Sequence, residues 1–127
     1  GGFMYLHESM TDEEGENWPM AGVITGNCHN RGKLVRFGYV NVMEQTSHFL
    51  AERPVRAHEF HYYDSENNGE SCVAVKPVSG TSWTCIHEDD RNWWGYPHLY
   101  YPSNPAFVEH FIGEAKKWKK REDRCKS

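Results

Sequence analysis

The sequence predicts a single α/β domain. Short runs rich in Val, Leu, Phe and Tyr, broken by Gly, Asn and Pro, fill its middle, and an amphipathic helix with a clear start signal closes it. At 127 residues, 38% of them hydrophobic, the chain is large enough for one modest core and too small for two.

Taken in order, Phe3, Met4, Leu6 and Met10 recur at near-helical spacing, and Thr11-Asp12-Glu13-Glu14-Gly15 supplies a stop, so a short helix is expected over 2–10. Its leading Gly1-Gly2 pair costs stability at a helix start unless the backbone must turn sharply or approach a ligand or another element closely. Residues 21–25 and 33–42 read as strands, punctuated by Gly26-Asn27 and Arg31-Gly32. Residues 55–63 alternate as a strand, with Ala57, Glu59 and His61 on one face and His58, Phe60 and Tyr62 on the other. A turn is expected over 64–70, then strands over 71–76, 82–87 and 96–101, with Pro77, Ser79-Gly80, Gly95 and Pro102 as breaks. Asn104 is a natural N-cap and Pro105 fits the first helical position. Phe107, Val108, Phe111, Ile112 and Ala115 form the apolar stripe of the closing helix.

A formal net charge of -4 and a pI near 6.1 give no general attraction to nucleic acid or to an anionic membrane, so neither partner is expected. The cluster Lys116-Lys117-Trp118-Lys119-Lys120-Arg121, interrupted by Glu114, Glu122 and Asp123, reads as a solvated helix end favoured by the helix dipole. Cys28, Cys72, Cys85 and Cys125 form no CxxC pair, and no charged-then-apolar leader is seen, so free thiols in a reducing cytoplasm are expected. Apolar runs fall far short of the roughly 20 residues that span a bilayer.

Chemistry concentrates in Arg56-Ala57-His58-Glu59-Phe60-His61-Tyr62-Tyr63. On a strand His58 and His61 point oppositely, which argues against a shared metal, and no ligand spacing supports a zinc site from Cys28, His29, Cys85 and His87. No GxxxxGK[ST] run occurs, so no Walker-type nucleotide site is expected. On the residues alone, His61 beside Glu59 is either a hydrogen-bonded structural group or a catalytic one. Trp83, Trp93 and Trp94 are assigned to core and loop packing.

Gly1-Gly2-Phe3-Met4-Tyr5-Leu6, His58-Glu59-Phe60-His61-Tyr62 and Pro97-His98-Leu99-Tyr100-Tyr101 followed by Ser103-Asn104-Pro105, in that order, resemble the C-terminal glutaminase domain of the cobyrinate a,c-diamide synthase family. Arg36-Phe37-Gly38-Tyr39 matches the family's Gly-Tyr pair between the first two motifs. The resemblance implies a flavodoxin-like, class I glutamine amidotransferase domain over 1–127, truncated at its N-terminus just after the nucleophile elbow. In that family a cysteine stands directly ahead of the glycine pair, and the second histidine of the His-Glu-Phe-His motif completes the catalytic pair. His61 inherits that role, and the Gly1 backbone N–H inherits a place facing the substrate oxyanion.

The implied chemistry is coherent. A cysteine at a helix N-terminus has its thiolate favoured by the dipole, a histidine takes the thiol proton and returns it to the departing ammonia, and water hydrolyses the thioester. Many glutaminases of this class carry a carboxylate two residues after the histidine, where this sequence has Tyr63. Glu59 is the alternative orienter, open against a plain Cys-His dyad. Ala57 replaces the family's glycine ahead of His58. His98 is expected beside the active site, as structural support before donor. With no cysteine ahead of Gly1, the chain alone is expected to be inactive. The implied partners are glutamine and an N-terminal synthetase domain that carries ATP, Mg2+ and the corrinoid; no cofactor or metal is expected in this chain. The rival reading is a non-catalytic interaction subunit or a β-rich binding module. Glutaminases serving hydrogenobyrinate or nickel sirohydrochlorin share these motifs, so the tetrapyrrole stays open.

Overall fold

The computed structural model describes residues 1–46 and 48–126. Its elements are α1 (Gly2–Tyr5), β1 (His7–Thr11), β2 (Asn17–Pro19), β3 (Ile24–Asn30), β4 (Arg36–Glu44), β5 (Val55–His61), β6 (Tyr63–Ser65), β7 (Cys72–Val75), β8 (Ser82–Cys85), β9 (His87–Glu88), β10 (Trp93–Trp94), β11 (His98–Leu99), a 3-10 turn (Tyr101–Ser103) and α2 (Ala106–Lys126). The strands form a five-stranded sheet in the order β11-β5-β4-β7-β8, a four-stranded sheet β2-β1-β3-β6 and a small pair β10-β9. Among the described strands β1 and β3 run parallel and the other pairs antiparallel.

The five-stranded sheet is built on the β4–β5 pairing, which runs in register from Arg36↔His61 to Val42↔Val55. Side chains alternate across a sheet, so this register puts Val40, Val42, Val55 and Ala57 on one covered face. Phe49, Leu50, Ile86 and Phe107 close that face and form the core with Cys72, Ala74 and Cys85. Asn104 ties α2 to the core. Its Nδ2 donates to the carbonyls of Leu50 (2.9 Å) and Arg53 (3.1 Å), while its Oδ1 accepts the Ala106 N–H at 3.2 Å, the N-cap bond expected from sequence.

Several elements differ from the sequence reading. The expected helix over 2–10 is a single turn. Leu6 ends it by donating its N–H to Gly2 and Phe3, and His7–Thr11 then pairs with strands on both sides. One turn of apolar spacing does not separate a helix from a strand, and two ladders outweigh a short helix. The Gly26-Asn27 break expected after 21–25 instead lies inside β3, where the register against β1 slips between His7 and Ser9. Gly26 has φ +113°, so the glycine marks a bulge there and not a stop. The strand expected over 55–63 is two: the chain leaves the large sheet at His61 and enters the other at Tyr63, opposite Asn30. The apolar stripe of α2 is covered only at its start. Phe107 is buried, whereas Phe111 and Ile112 are 59% and 46% exposed with no described element over them.

Two tight spots carry measurable consequences. Gly69, at φ +89°, lies so close to the Ile86–His87 peptide that a Cβ would collide with it. Gly69→Ala is expected to cost about 2–4 kcal/mol, through backbone strain and overpacking together. Urea unfolding measures this, and a loss under ~0.5 kcal/mol would contradict the packing described.

The second spot is a carboxylate pair. Glu44 accepts the backbone N–H groups of His48 (3.2 Å), Phe49 (2.8 Å) and Leu50 (2.7 Å). Burial, then the neighbouring Glu44, pushes the Glu88 carboxyl up to about 9 from 4.5. The unfolded chain therefore releases this proton near 4.5 and the folded chain near 9, so Glu88 erodes stability as pH rises across that window. Glu88→Gln is expected to remove this contribution and to make the protein more stable than wild type at pH 8 to 9. Melting temperatures measured across pH test it; an unchanged slope refutes it.

Candidate active site

His61 sits where the chain changes sheets. Its carbonyl accepts the Val35 N–H at 2.9 Å, the Tyr62 carbonyl accepts the Arg31 N–H at 2.9 Å, and the bend returns the Tyr63 carbonyl to the imidazole. Nδ1–H donates to that carbonyl at 2.7 Å, because a carbonyl can only accept. In the neutral ring this bond fixes the tautomer and leaves the Nε2 lone pair for chemistry. Nε2 lies 3.5 Å from Glu59 Oε1, with side chains 11% and 4% exposed. Neither His61 Nε2 nor Glu59 Oε2 has a hydrogen-bond partner among the described residues. Buried polar atoms are almost always paired, so two orphans in one place mark a site poised for exchange of a proton or a ligand.

A cavity of about 90 Å³ opens at this pair, lined also by Arg36, Asp64, Trp83 and Cys85. Arg36 stands opposite His61 in the β4–β5 register, and its guanidinium lies 4.3 Å from the centre of the Trp83 ring. This stacking holds a cation at the cavity that Glu59 also lines. On the other side, the His61 ring stacks on Tyr96 with centroids 3.8 Å apart and planes 8° from parallel.

Cys85 shares the cavity. Burial, reinforced by the negative charge of Glu59, pushes its thiol up to about 12. Burial also raises the Cys28 thiol, and burial together with Glu88 raises that of Cys72. Cys125 is exposed on α2. Among the described residues no group of three or more His, Cys, Asp or Glu converges to hold a metal ion, and no helix is long and apolar enough to cross a membrane.

Of the residues singled out from sequence, the structure brings His61 and Glu59 together and places Gly1 in a neighbouring cavity of about 860 Å³. Gly1, Gly2, Tyr96, Pro97 and His98 line that cavity; Tyr96 and Pro97 also wall the His61 cavity. A Cβ on Gly1 or Gly2 would touch nothing within 4 Å, so packing within the described residues does not account for the glycine pair. His98 pairs with His58 and meets its ring edge-on at 5.0 Å, on the sheet face opposite His61. It reaches the Gly1 cavity and not the imidazole of His61. Sequence reasoning missed Tyr96, Arg36 and Trp83. Arg36 was findable, since antiparallel register against 55–63 would have set it beside His61; Tyr96 carries no periodic signal.

Residues 1–106 match the family model described as the CobB/CobQ-like glutamine amidotransferase domain. The chain is 33% identical over 113 residues to a cobyrinate a,c-diamide synthase of Fusobacterium nucleatum, covering 86% of the chain and 24% of that protein. It is 29% identical over 123 residues to the cobyrinate a,c-diamide synthase of Salmonella typhimurium, covering 92% of the chain and 27% of that protein. It is 34% identical over 96 residues to that of Caldanaerobacter subterraneus, covering 70% and 21%. The chain spans about a quarter of the length of these curated relatives.

The thiol environments predict an order of alkylation. Iodoacetamide at pH 7.5 should modify Cys125 first, with Cys28, Cys72 and Cys85 reacting only on unfolding. Peptide mass mapping over time checks this, and early modification of Cys85 would mean that the His61 cavity activates it.

Proposed function

This chain belongs to the CobB/CobQ-like glutamine amidotransferase domain family, and we propose that it forms the histidine-bearing part of a glutaminase site in a cobyrinate a,c-diamide synthase. The observation that carries the proposal is the His61 imidazole, held by Nδ1–H on the Tyr63 carbonyl with Nε2 buried and unpaired beside Glu59. A second observation supports it. Helix α1, which follows Gly1, and the His61 ring pack against the same Tyr96 ring.

In this proposal the nucleophile is a cysteine directly ahead of Gly1. Its thiol gives its proton to His61 Nε2, and the thiolate attacks the side-chain carbonyl carbon of glutamine. The Gly1 N–H faces the resulting oxyanion. Glu59, 3.5 Å from Nε2, favours the imidazolium electrostatically and leaves the proton on the ring for the leaving group. His61 then protonates the departing ammonia, and water, deprotonated by the same imidazole, hydrolyses the thioester to glutamate. Without the cysteine the 127 residues alone do not turn over glutamine.

The proposal extends to the architecture. Residues 1–127 belong to a flavodoxin-like class I glutaminase domain whose remaining strands precede Gly1. A synthetase domain outside this chain binds ATP, Mg2+ and the corrinoid and uses the ammonia to amidate the a and c carboxylates of cobyrinate. The residues described here offer that domain's ligands no Walker-type loop.

In the full-length protein, His61→Ala is expected to abolish glutamine-dependent amidation and to leave ammonia-dependent amidation near wild type. Rates measured with each nitrogen source decide the matter, and equal loss of both would contradict the assignment.

A further inference from the structure

Tyr96 makes three contacts that lead to different parts of the molecule. One face of its ring lies flat on the His61 imidazole, 3.8 Å away and 8° from parallel. Its ring also meets Phe3 of α1 in an edge contact, with centroids 4.8 Å apart at 73°. Its hydroxyl donates to the Sγ of Cys28 at 3.7 Å, and Cys28 is fully buried in β3 of the four-stranded sheet. The following residue, Pro97, is buried, and Tyr96 and Pro97 together wall both the Gly1 cavity and the His61 cavity.

A ring held by one hydrogen bond keeps a degree of freedom. The bond from Nδ1–H to the Tyr63 carbonyl fixes the position of that nitrogen, yet the imidazole can still tilt about it and carry Nε2 away from its target. A flat partner at van der Waals distance removes that tilt. Because the same partner packs on α1, it also fixes the imidazole relative to the backbone that follows Gly1. Proton transfer is sensitive to such placement: an error of about 1 Å is worth on the order of 100-fold in rate.

We propose that Tyr96 is the positioning residue of this site, its ring setting the plane of the His61 imidazole and its distance from helix α1. This rests on the glutaminase reading of His61 given above. The hydroxyl serves as an anchor at the far end of the ring, and the aromatic face supplies the effect.

The test uses the full-length protein with glutamine and, separately, ammonia as nitrogen source. Tyr96→Leu is expected to lower kcat for glutamine hydrolysis by about 10- to 100-fold while KM stays within about twofold, since orientation and not glutamine binding is lost. Ammonia-dependent amidation should be unchanged, and Tyr96→Phe, which keeps the ring, should restore kcat. In the unmodified protein the His61 ring protons should resonate upfield from stacking on Tyr96, a signature retained in Tyr96→Phe and lost in Tyr96→Leu.

Wild-type kcat in Tyr96→Leu overturns the proposal, as do equal losses in Tyr96→Leu and Tyr96→Phe. Should Tyr96→Leu fail to fold, the unmodified protein decides: His61 ring protons without an upfield shift overturn the proposal. If His61→Ala retains glutamine hydrolysis, the glutaminase reading falls instead, an outcome separate from any result at Tyr96.

Discussion

The structure turns on the parity of β5 against β4. Because consecutive side chains on a strand point to opposite faces, the register that buries Val55 and Ala57 must also turn Glu59 and His61 inward. The same register leaves Phe37, Tyr39, His58 and Phe60 on the outer face, where all four are exposed. A slip of one residue would bring aromatic rings into the core and send the carboxylate and imidazole into water. Core packing therefore holds the polar pair in place, and the pair cannot move without unmaking the sheet. Gly38 stands opposite Glu59 in the register, and the Glu59 carboxylate is nonetheless buried.

Polar groups buried this way are expensive. A carboxylate oxygen without a partner costs several kcal/mol in an apolar setting unless something compensates. Part of the compensation is visible: Arg36, stacked on Trp83, lines the same cavity, and the His61 imidazole lies 3.5 Å from Glu59 Oε1. The rest comes from the aliphatic and aromatic core on the same sheet face, with Leu50, Val42, Val55 and Ile86 fully buried. Stability is thus gathered at one end of β5 and given up at the other. Such an arrangement is typical of a site where geometry matters more than local free energy.

Much of this was legible in the sequence because its cause is local. The alternation over 55–61 and the Asn104-Pro105 helix start each encode their outcome in adjacent residues and appear as expected, whereas the switch of sheets at residues 61–63 does not follow from the local pattern. The failures arise where distant pairing overrides local pattern. The 2–10 segment has helical spacing but gains more from ladders with Asn17–Pro19 and Ile24–Asn30. Gly26 looks like a terminator until β1 is laid beside it, when it becomes a bulge. In the site, Glu59 and His61 follow from parity alone. Tyr96 does not, because its place depends on a loop after β10 folding back between two sheets, and no run of residues announces that.

The two buried carboxylate sites show why an acidic residue in the interior is not by itself a sign of function. Glu44 accepts three backbone N–H groups, and burial first, then the adjacent Glu44, raises the Glu88 carboxyl. Glu88 Oε2, like Glu59 Oε2, is buried without a hydrogen-bond partner among the described residues, so an unpaired oxygen does not distinguish the two sites. Glu59 is held differently. Its neighbour is an imidazole, and a small cavity opens at the two side chains. Nε2 can take up and give back a proton without breaking the Nδ1–H bond to the Tyr63 carbonyl that orients the ring. The difference lies in what surrounds the carboxylates and not in the carboxylates themselves: an imidazole and a cavity at Glu59, a second carboxylate and a row of backbone N–H groups at Glu44.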